Sequence, residues 1–176
     1  MAASWDGTPG PPVAGPAVEA VADDPEGKEV LEEAKALFDG LTPEKKERLH
    51  LTALPMDDLE ENAVMVNALQ RRADVVVQKS IAEGFGLTVA EGMWKARPVV
   101  ASRIGGIQDQ IEDGESGLLL DDPHDLTAYG QAVKTLLEDP ERAERMGEEA
   151  RKRVLARFLG SHSLMNYVKL IEPLAR

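Results

Sequence analysis

Short aliphatic runs alternate with longer stretches of helical period along this 176-residue chain. "VAGPA" (13–17) reads as the end of a short strand, running into the loop "VEAVADDPEG". The stretch 26–38 predicts a helix closing at Asp39-Gly40. After Pro43 and a charged turn, "RLHLTAL" (48–54) alternates as a strand does. Residues 58–72 carry helical period, and "ADVVVQKS" (73–80) is a short β-branched strand. "EGFGLTVAE" (83–91) leads into a helix from about Leu87 to Lys95. "RPVVASRI" (97–104) reads as a buried strand, followed by Gly105-Gly106 and a short helix to Ile111. "DGESG" then turns into "LLLDD", the last strand. From Asp122-Pro123 onward the pattern is helical, with Pro123 expected at a first helical position behind an aspartate cap. Leu126, Tyr129, Val133 and Leu136 form one apolar stripe. A second helix starts at Asp139-Pro140, with Ala143, Met146, Ala150, Val154 and Phe158 on one face. A third, from about Ser163, ends the chain.

Strands alternating with helices predict βαβ units, and hence an α/β fold. Its parallel sheet should have about five strands flanked by helices, with a helical C-terminal segment. That is fewer strands than a complete doubly wound domain carries. Ligands of such sheets bind beyond the carboxyl ends of the strands, where both "EGFG" and the Gly105-Gly106 pair fall. Residues 1–12, rich in Gly, Pro and small side chains, read as a disordered tail, leaving 13–176 as one partial domain.

Composition narrows the function. With 43% hydrophobic but only 4% aromatic residues, the core should be aliphatic. A formal charge of -12 and a pI near 4.7 argue against nucleic acids and anionic membranes as partners. There is no cysteine, which excludes disulfides and thiolate metal sites, and no apolar run approaches a membrane span. Without a leader pattern the chain reads as cytoplasmic. His50, His124 and His162 lack metal-ligand spacing. Ser80 and Ser102 lie at strand ends without a His-Asp partner, so they line a site at most. Trp94 is read as core, and the charge run 138–153 and the acidic stretch 19–33 as solvated faces.

The nonapeptide carries the chemistry. Gly84 and Gly86 lie between a strand end and a helix start, where glycine lets a ligand approach the backbone closely. The amides of Phe85, Gly86, Leu87 and Thr88 then face outward at a helix N-terminus, suited to an anion or a sugar hydroxyl. The plainer alternative is a strand-to-helix turn with no ligand. Glu91 follows Leu87 by four and precedes Trp94 by three, so it shares a helical face with two large apolar side chains. A carboxylate there needs hydrogen-bond donors, and a vicinal diol supplies two; the alternative is a stripe edge in water. Glu83 lies within reach of a second polyol. A ribose, a hexose and a diphosphate between them match that spacing, with Gly105 and Gly106 adding backbone donors.

Glu83 and Glu91 form a Glu-x7-Glu pair that resembles the signature of retaining glycosyltransferases with the GT-B fold. "RPVVASRIGGI", "IEDGESGLLLDDP" and "DPERAERMGEEARKRVLARF" match the downstream pattern of that family, so the similarity runs from about 13 to 176. "VQKSIAEGFGLTVAEGMWKARPVV" with "GGIQDQI" looks like the trehalose synthase branch, which transfers glucose from a nucleoside diphosphate glucose to glucose. The resemblance implies a Rossmann-like C-terminal, nucleotide-sugar-binding domain. Glu83 would contact the donor hexose and Glu91 the ribose diol. Gly84, Phe85, Gly86 and Leu87 would supply amides to sugar and diphosphate, with Thr88 beside them. It implies no cofactor and no metal; the donor is UDP-glucose or ADP-glucose.

A whole enzyme of this type has an N-terminal acceptor domain and an Arg/Lys pair on the diphosphate. Neither maps onto this sequence, although Lys79 and Arg103 lie near the expected site. The chain alone is therefore expected to be catalytically silent. It would pair with a separate N-terminal domain, or with itself through exposed apolar surface. The alternatives are a non-enzymatic nucleotide-sugar-binding or interaction module, and a trehalose phosphorylase-like enzyme.

Overall fold

The computed structural model describes residues 13–18, 25–54 and 57–172. The expected tail 1–12, and residues 19–24 of the acidic stretch, lie outside them. The chain divides into two compact units, Met1–Val66 and Asn67–Arg176.

The first unit holds strand β1 (Val13–Val18), helix α1 (Pro25–Asp39), one helical turn α2 (Pro43–Lys46) and strand β2 (Leu49–Leu54). The charged turn expected after Pro43 is therefore a helical turn with proline at its start. The two strands pair in parallel, from Val13↔Leu49 to Val18↔Leu54, which the intervening helix makes possible. Leu31, Ala34 and Phe38 turn partly inward at helical spacing, while Val30 and Leu37 stay in water. Helix α3 (Leu59–Arg72) begins on Asp58, whose carboxylate accepts from the amides of Glu60 and Glu61, and it crosses into the second unit.

The second unit carries β3 (Val76–Gln78), α4 (Leu87–Trp94), β4 (Val99–Ser102), α5 (Ile107–Gln110) and β5 (Leu118–Leu120). Helices α6 (Leu126–Glu138), α7 (Pro140–Arg157) and α8 (Gly160–Ile171) follow. The sheet order is β3-β4-β5, all parallel, and every residue of the central strand β4 is buried. Alternation along β4 builds two cores. Val99 and Ala101 pack with Val89 and Met93 of α4, Ile107 of α5 and Val154 of α7. Val100 packs on the other side with Tyr129 and Leu136 of α6 and Met146 of α7. Helices thus cover both faces of the sheet.

Four expectations change. The strand expected over 73–80 pairs only at 76–78, because β4 offers it partners only at Val99, Val100 and Ala101. Helix α4 buries Val89, Gly92 and Met93, an i, i+3, i+4 stripe, so Leu87, Glu91 and Trp94 lie on its open side and Trp94 is 43% exposed. Helix α6 starts at Leu126, not Pro123. Asp122 closes a turn onto the amide of His124, and Asp125 caps the helix by accepting from Ala128 N–H at 2.9 Å. Leu126 is consequently exposed and leaves the stripe to Tyr129, Val133 and Leu136. The last helix begins three residues before Ser163, at Gly160, with Leu164, Tyr167, Val168 and Ile171 all exposed.

These burial patterns predict opposite costs for neighbouring residues. Met93→Ala should destabilise the chain by about 3 kcal/mol, and the larger truncation Trp94→Ala by only about 1 kcal/mol. Urea denaturation of both variants checks the order.

Candidate functional site

The loops after β3 and β4 meet at the carboxyl edge of the sheet. Gly106 N–H donates to the Gly84 carbonyl at 2.7 Å. A Cβ on Gly106 would stand 2.6 Å from that oxygen and 3.0 Å from Phe85 Cα. Gly105, at φ +48, lies with its Cα against the Glu83 carbonyl, so a side chain there would overlap backbone. Gly86 takes φ 84 as the N-cap of α4, above the buried Ile107 side chain. Beneath the turn, the Gln110 side-chain amide donates to the Phe85 carbonyl and, at 3.5 Å, to that of Gly86. Above it, the amides of Phe85, Gly86, Leu87 and Thr88 donate to no described residue. The N-terminal end of the α4 dipole and four N–H groups without a partner among the described residues therefore lie together at this turn.

The two carboxylates are held differently. Glu83, half-buried, turns back so that Oε1 accepts from Gly84 N–H at 3.0 Å, while Oε2 lies 3.5 Å from Ser80 Oγ. Gln78 in turn donates to Ser80 Oγ at 2.9 Å. Glu91 stands on the open side of α4, not on an apolar face. Its Oε2 accepts from Gln70 Nε2 of α3 at 2.9 Å, and Lys95 Nζ donates to Gln70 Oε1 at 2.5 Å. Gln70 is 7% exposed, so this amide is a buried bracket that fixes the Glu91 rotamer and leaves its other oxygen open.

The remaining sequence candidates fall elsewhere. Arg103 is bound to Asp121 at 2.5 Å and Asp113 at 2.6 Å, and the hydrogen bonds it donates to these carboxylates push its pKa above the ordinary guanidinium value. It ties the end of β4 to the end of β5 and is committed there. Lys79 is exposed just past β3. Gly106 spends its N–H on Gly84, so of the glycine pair it serves loop packing instead of offering a donor. Ser102 is fully buried and shares a 2.6 Å hydrogen bond with Tyr129, which removes it from the site lining. His50, His124 and His162 are exposed, and among the described residues no group of His, Asp and Glu can hold a metal ion.

Gln70 and Gln110 were not singled out in the sequence, though the signal was there. Gln110 shares an i, i+3, i+4 face with Ile107 and Ile111, and Gln70 continues the inward stripe of Asn62, Val66 and Ala73. An amide in an apolar stripe must find a partner, and both find the site.

The family of glycosyl transferases group 1 matches residues 60–153, which contain this whole arrangement. The chain belongs to that family. This group 1 glycosyltransferase chain is 50% identical over 112 residues to the trehalose synthase of Rubrobacter xylanophilus, covering 64% of itself and 26% of that protein. It spans about a quarter of the length of the curated relatives it matches. Its fold superposes on the sucrose-phosphate synthase from Thermosynechococcus elongatus with a TM-score of 0.69 and 25% identity, over 92% of this chain and 37% of that one. Anabaena HepE, solved in complex with UDP-glucose, gives a TM-score of 0.66 at 21% identity, over 84% and 37%. The partial parallel sheet flanked by helices thus matches the GT-B glycosyltransferase fold of these neighbours. Among the described residues no helix is long and apolar enough to cross a membrane.

The loop contact predicts a sharp contrast between nearby glycines. Gly105→Ala should cost roughly 3 kcal/mol, combining a left-handed backbone with displacement of the 83–84 chain. Gly84→Ala, which meets nothing within 4 Å, should stay within about 0.5 kcal/mol of neutral. Thermal unfolding of the two variants measures the difference.

Proposed function

We propose that residues 83–91 receive a nucleoside diphosphate glucose, UDP-glucose or ADP-glucose, for retaining glucosyl transfer to glucose in a trehalose synthase-like reaction. The observation that carries this reading is the row of unclaimed amides at Phe85, Gly86, Leu87 and Thr88, flanked by two positioned carboxylates. Breaking the glycosidic bond leaves extra negative charge on the departing diphosphate. Fixed N–H groups at a helix N-terminus stabilise that charge without having to reorganise. Glu83 and Glu91, acceptors only when ionised, suit hydroxyl donors on either side: the hexose for Glu83, the ribose diol for Glu91. Gly105 completes the wall beside Glu83, and Gly106 anchors it. The 50% identity to a trehalose synthase supports the trehalose synthase-like reading, and the UDP-glucose complex of HepE supports the donor class.

The same residues set a limit on affinity. The amides are neutral, Arg103 is committed to Asp113 and Asp121, and the chain carries a formal charge of -12. Binding by this chain alone should be weak, and trehalose formation by it alone should be absent. A partner supplying cationic groups and an acceptor site would complete the reaction; the alternative within the same site is phosphorolysis of trehalose.

Calorimetric titration of UDP-glucose and ADP-glucose into the pure chain tests the reading and chooses the base. Glu91→Ala should weaken the preferred ligand about tenfold, the loss of one charged hydrogen-bond acceptor. EDTA should change nothing. Failure of both nucleotide sugars to bind at millimolar concentration would remove the proposal.

A further inference from the structure

We propose that Gln110 is the positioning residue that aims the amides of the 85–88 turn, an inference that rests on reading this turn as the nucleotide-sugar site. A peptide unit is planar and trans, so its C=O and the following N–H point in opposite directions. Wherever a carbonyl of the turn is drawn inward, the next N–H is turned outward. Three consecutive units are held this way. Gly106 N–H holds the Gly84 carbonyl at 2.7 Å, which turns Phe85 N–H outward. The Gln110 side-chain amide holds the Phe85 carbonyl, which turns Gly86 N–H outward. The Gly86 carbonyl, 3.5 Å from the same amide, is held by Val89 N–H at 3.0 Å and Ala90 N–H at 3.3 Å in the first turn of α4, which turns Leu87 N–H outward.

Gln110 is itself fixed. It is the last residue of α5 and has no exposed surface. Arg153 of α7 donates from Nε to the Gln110 carbonyl at 2.6 Å and from Nη2 to the Asp109 carbonyl at 3.1 Å. A salt bridge at 3.2 Å holds the same guanidinium to Glu112. The backbone of α5 is thus clamped from α7, and its last side chain transmits that clamp to the turn.

The cost of the arrangement is visible. Gln110 Oε1 is buried with no hydrogen-bond partner among the described residues, an expense that a methionine of similar shape avoids. Folding alone therefore gives little reason for an amide here. Its donor supplies one.

The test uses the full chain carrying Gln110→Met, with Gln110→Leu as a second apolar variant. Three quantities are read: the thermal midpoint, the ¹⁵N–¹H shifts of the ligand-free protein, and UDP-glucose affinity. The expected result is an unchanged or raised midpoint, displaced Gly86 and Leu87 amide resonances, and affinity weakened about tenfold. A well-folded variant with wild-type affinity would overturn the proposal. So would a midpoint that falls in both variants while the Gly86 and Leu87 resonances stay in place. If the wild-type chain binds no UDP-glucose, the nucleotide-sugar reading fails by itself, and the amide shifts alone decide whether Gln110 orients the turn.

Discussion

Everything at the carboxyl edge depends on two backbone loops lying closer than side chains would allow. Gly106 N–H reaches the Gly84 carbonyl, and Gly105 lies against Glu83, because neither carries a Cβ. One hydrogen bond is worth only about 1 kcal/mol net. Its structural consequence is larger, because it joins the turn after β3 to the turn after β4 and so orients the N-terminus of α4. The parallel register of Val76↔Val99 delivers both turns to the same edge, and Ile107 supports Gly86 from below. A donor surface made of main-chain amides follows from that approach, since the carbonyls are consumed on the inner side.

Side-chain amides then do what charged groups could not do cheaply. A buried ion pair under the turn would have to overcome desolvation of both partners. A glutamine carries a donor and an acceptor at much smaller cost. Gln70 uses both, accepting from Lys95 while donating to Glu91, and so places the carboxylate without neutralising it. Gln110 donates to the Phe85 carbonyl, with that of Gly86 at 3.5 Å, and its acceptor has no partner among the described residues. Arg103 is spent on fastening β4 to β5 through Asp113 and Asp121, and Arg153 on the α5 backbone. The turn is consequently rich in fixed dipoles, with both of these guanidinium groups committed elsewhere.

Much of this fold was legible because its period and punctuation are strong. The aliphatic run around β4, the Asp139-Pro140 start of α7 and the Gly84–Gly86 turn all appear where the sequence placed them. Glu83 and Glu91 stand out in the sequence for their spacing. The face assigned to Glu91 was wrong, because Leu87 and Trp94 look like a buried stripe until Val89, Gly92 and Met93 are seen to make a tighter one. Helix α6 was misplaced at its start because Asp122 and Asp125 are both competent caps, and only the chain path chooses between them. Gly105 and Gly106 were recognised, but as ligand donors; that Gly106 donates to Gly84 depends on a contact between loops some twenty residues apart, which no local pattern encodes.

We propose that an inward row of carbonyls leaves an outward row of amides for a nucleotide sugar. An NMR titration of the ¹⁵N-labelled chain with UDP-glucose reads those amides one by one. Saturating shifts confined to the amides of Phe85, Gly86, Leu87 and Thr88 and their immediate neighbours are predicted, with buried Val99 and Val100 unmoved. Shifts centred on another surface, or none at millimolar ligand, would contradict it.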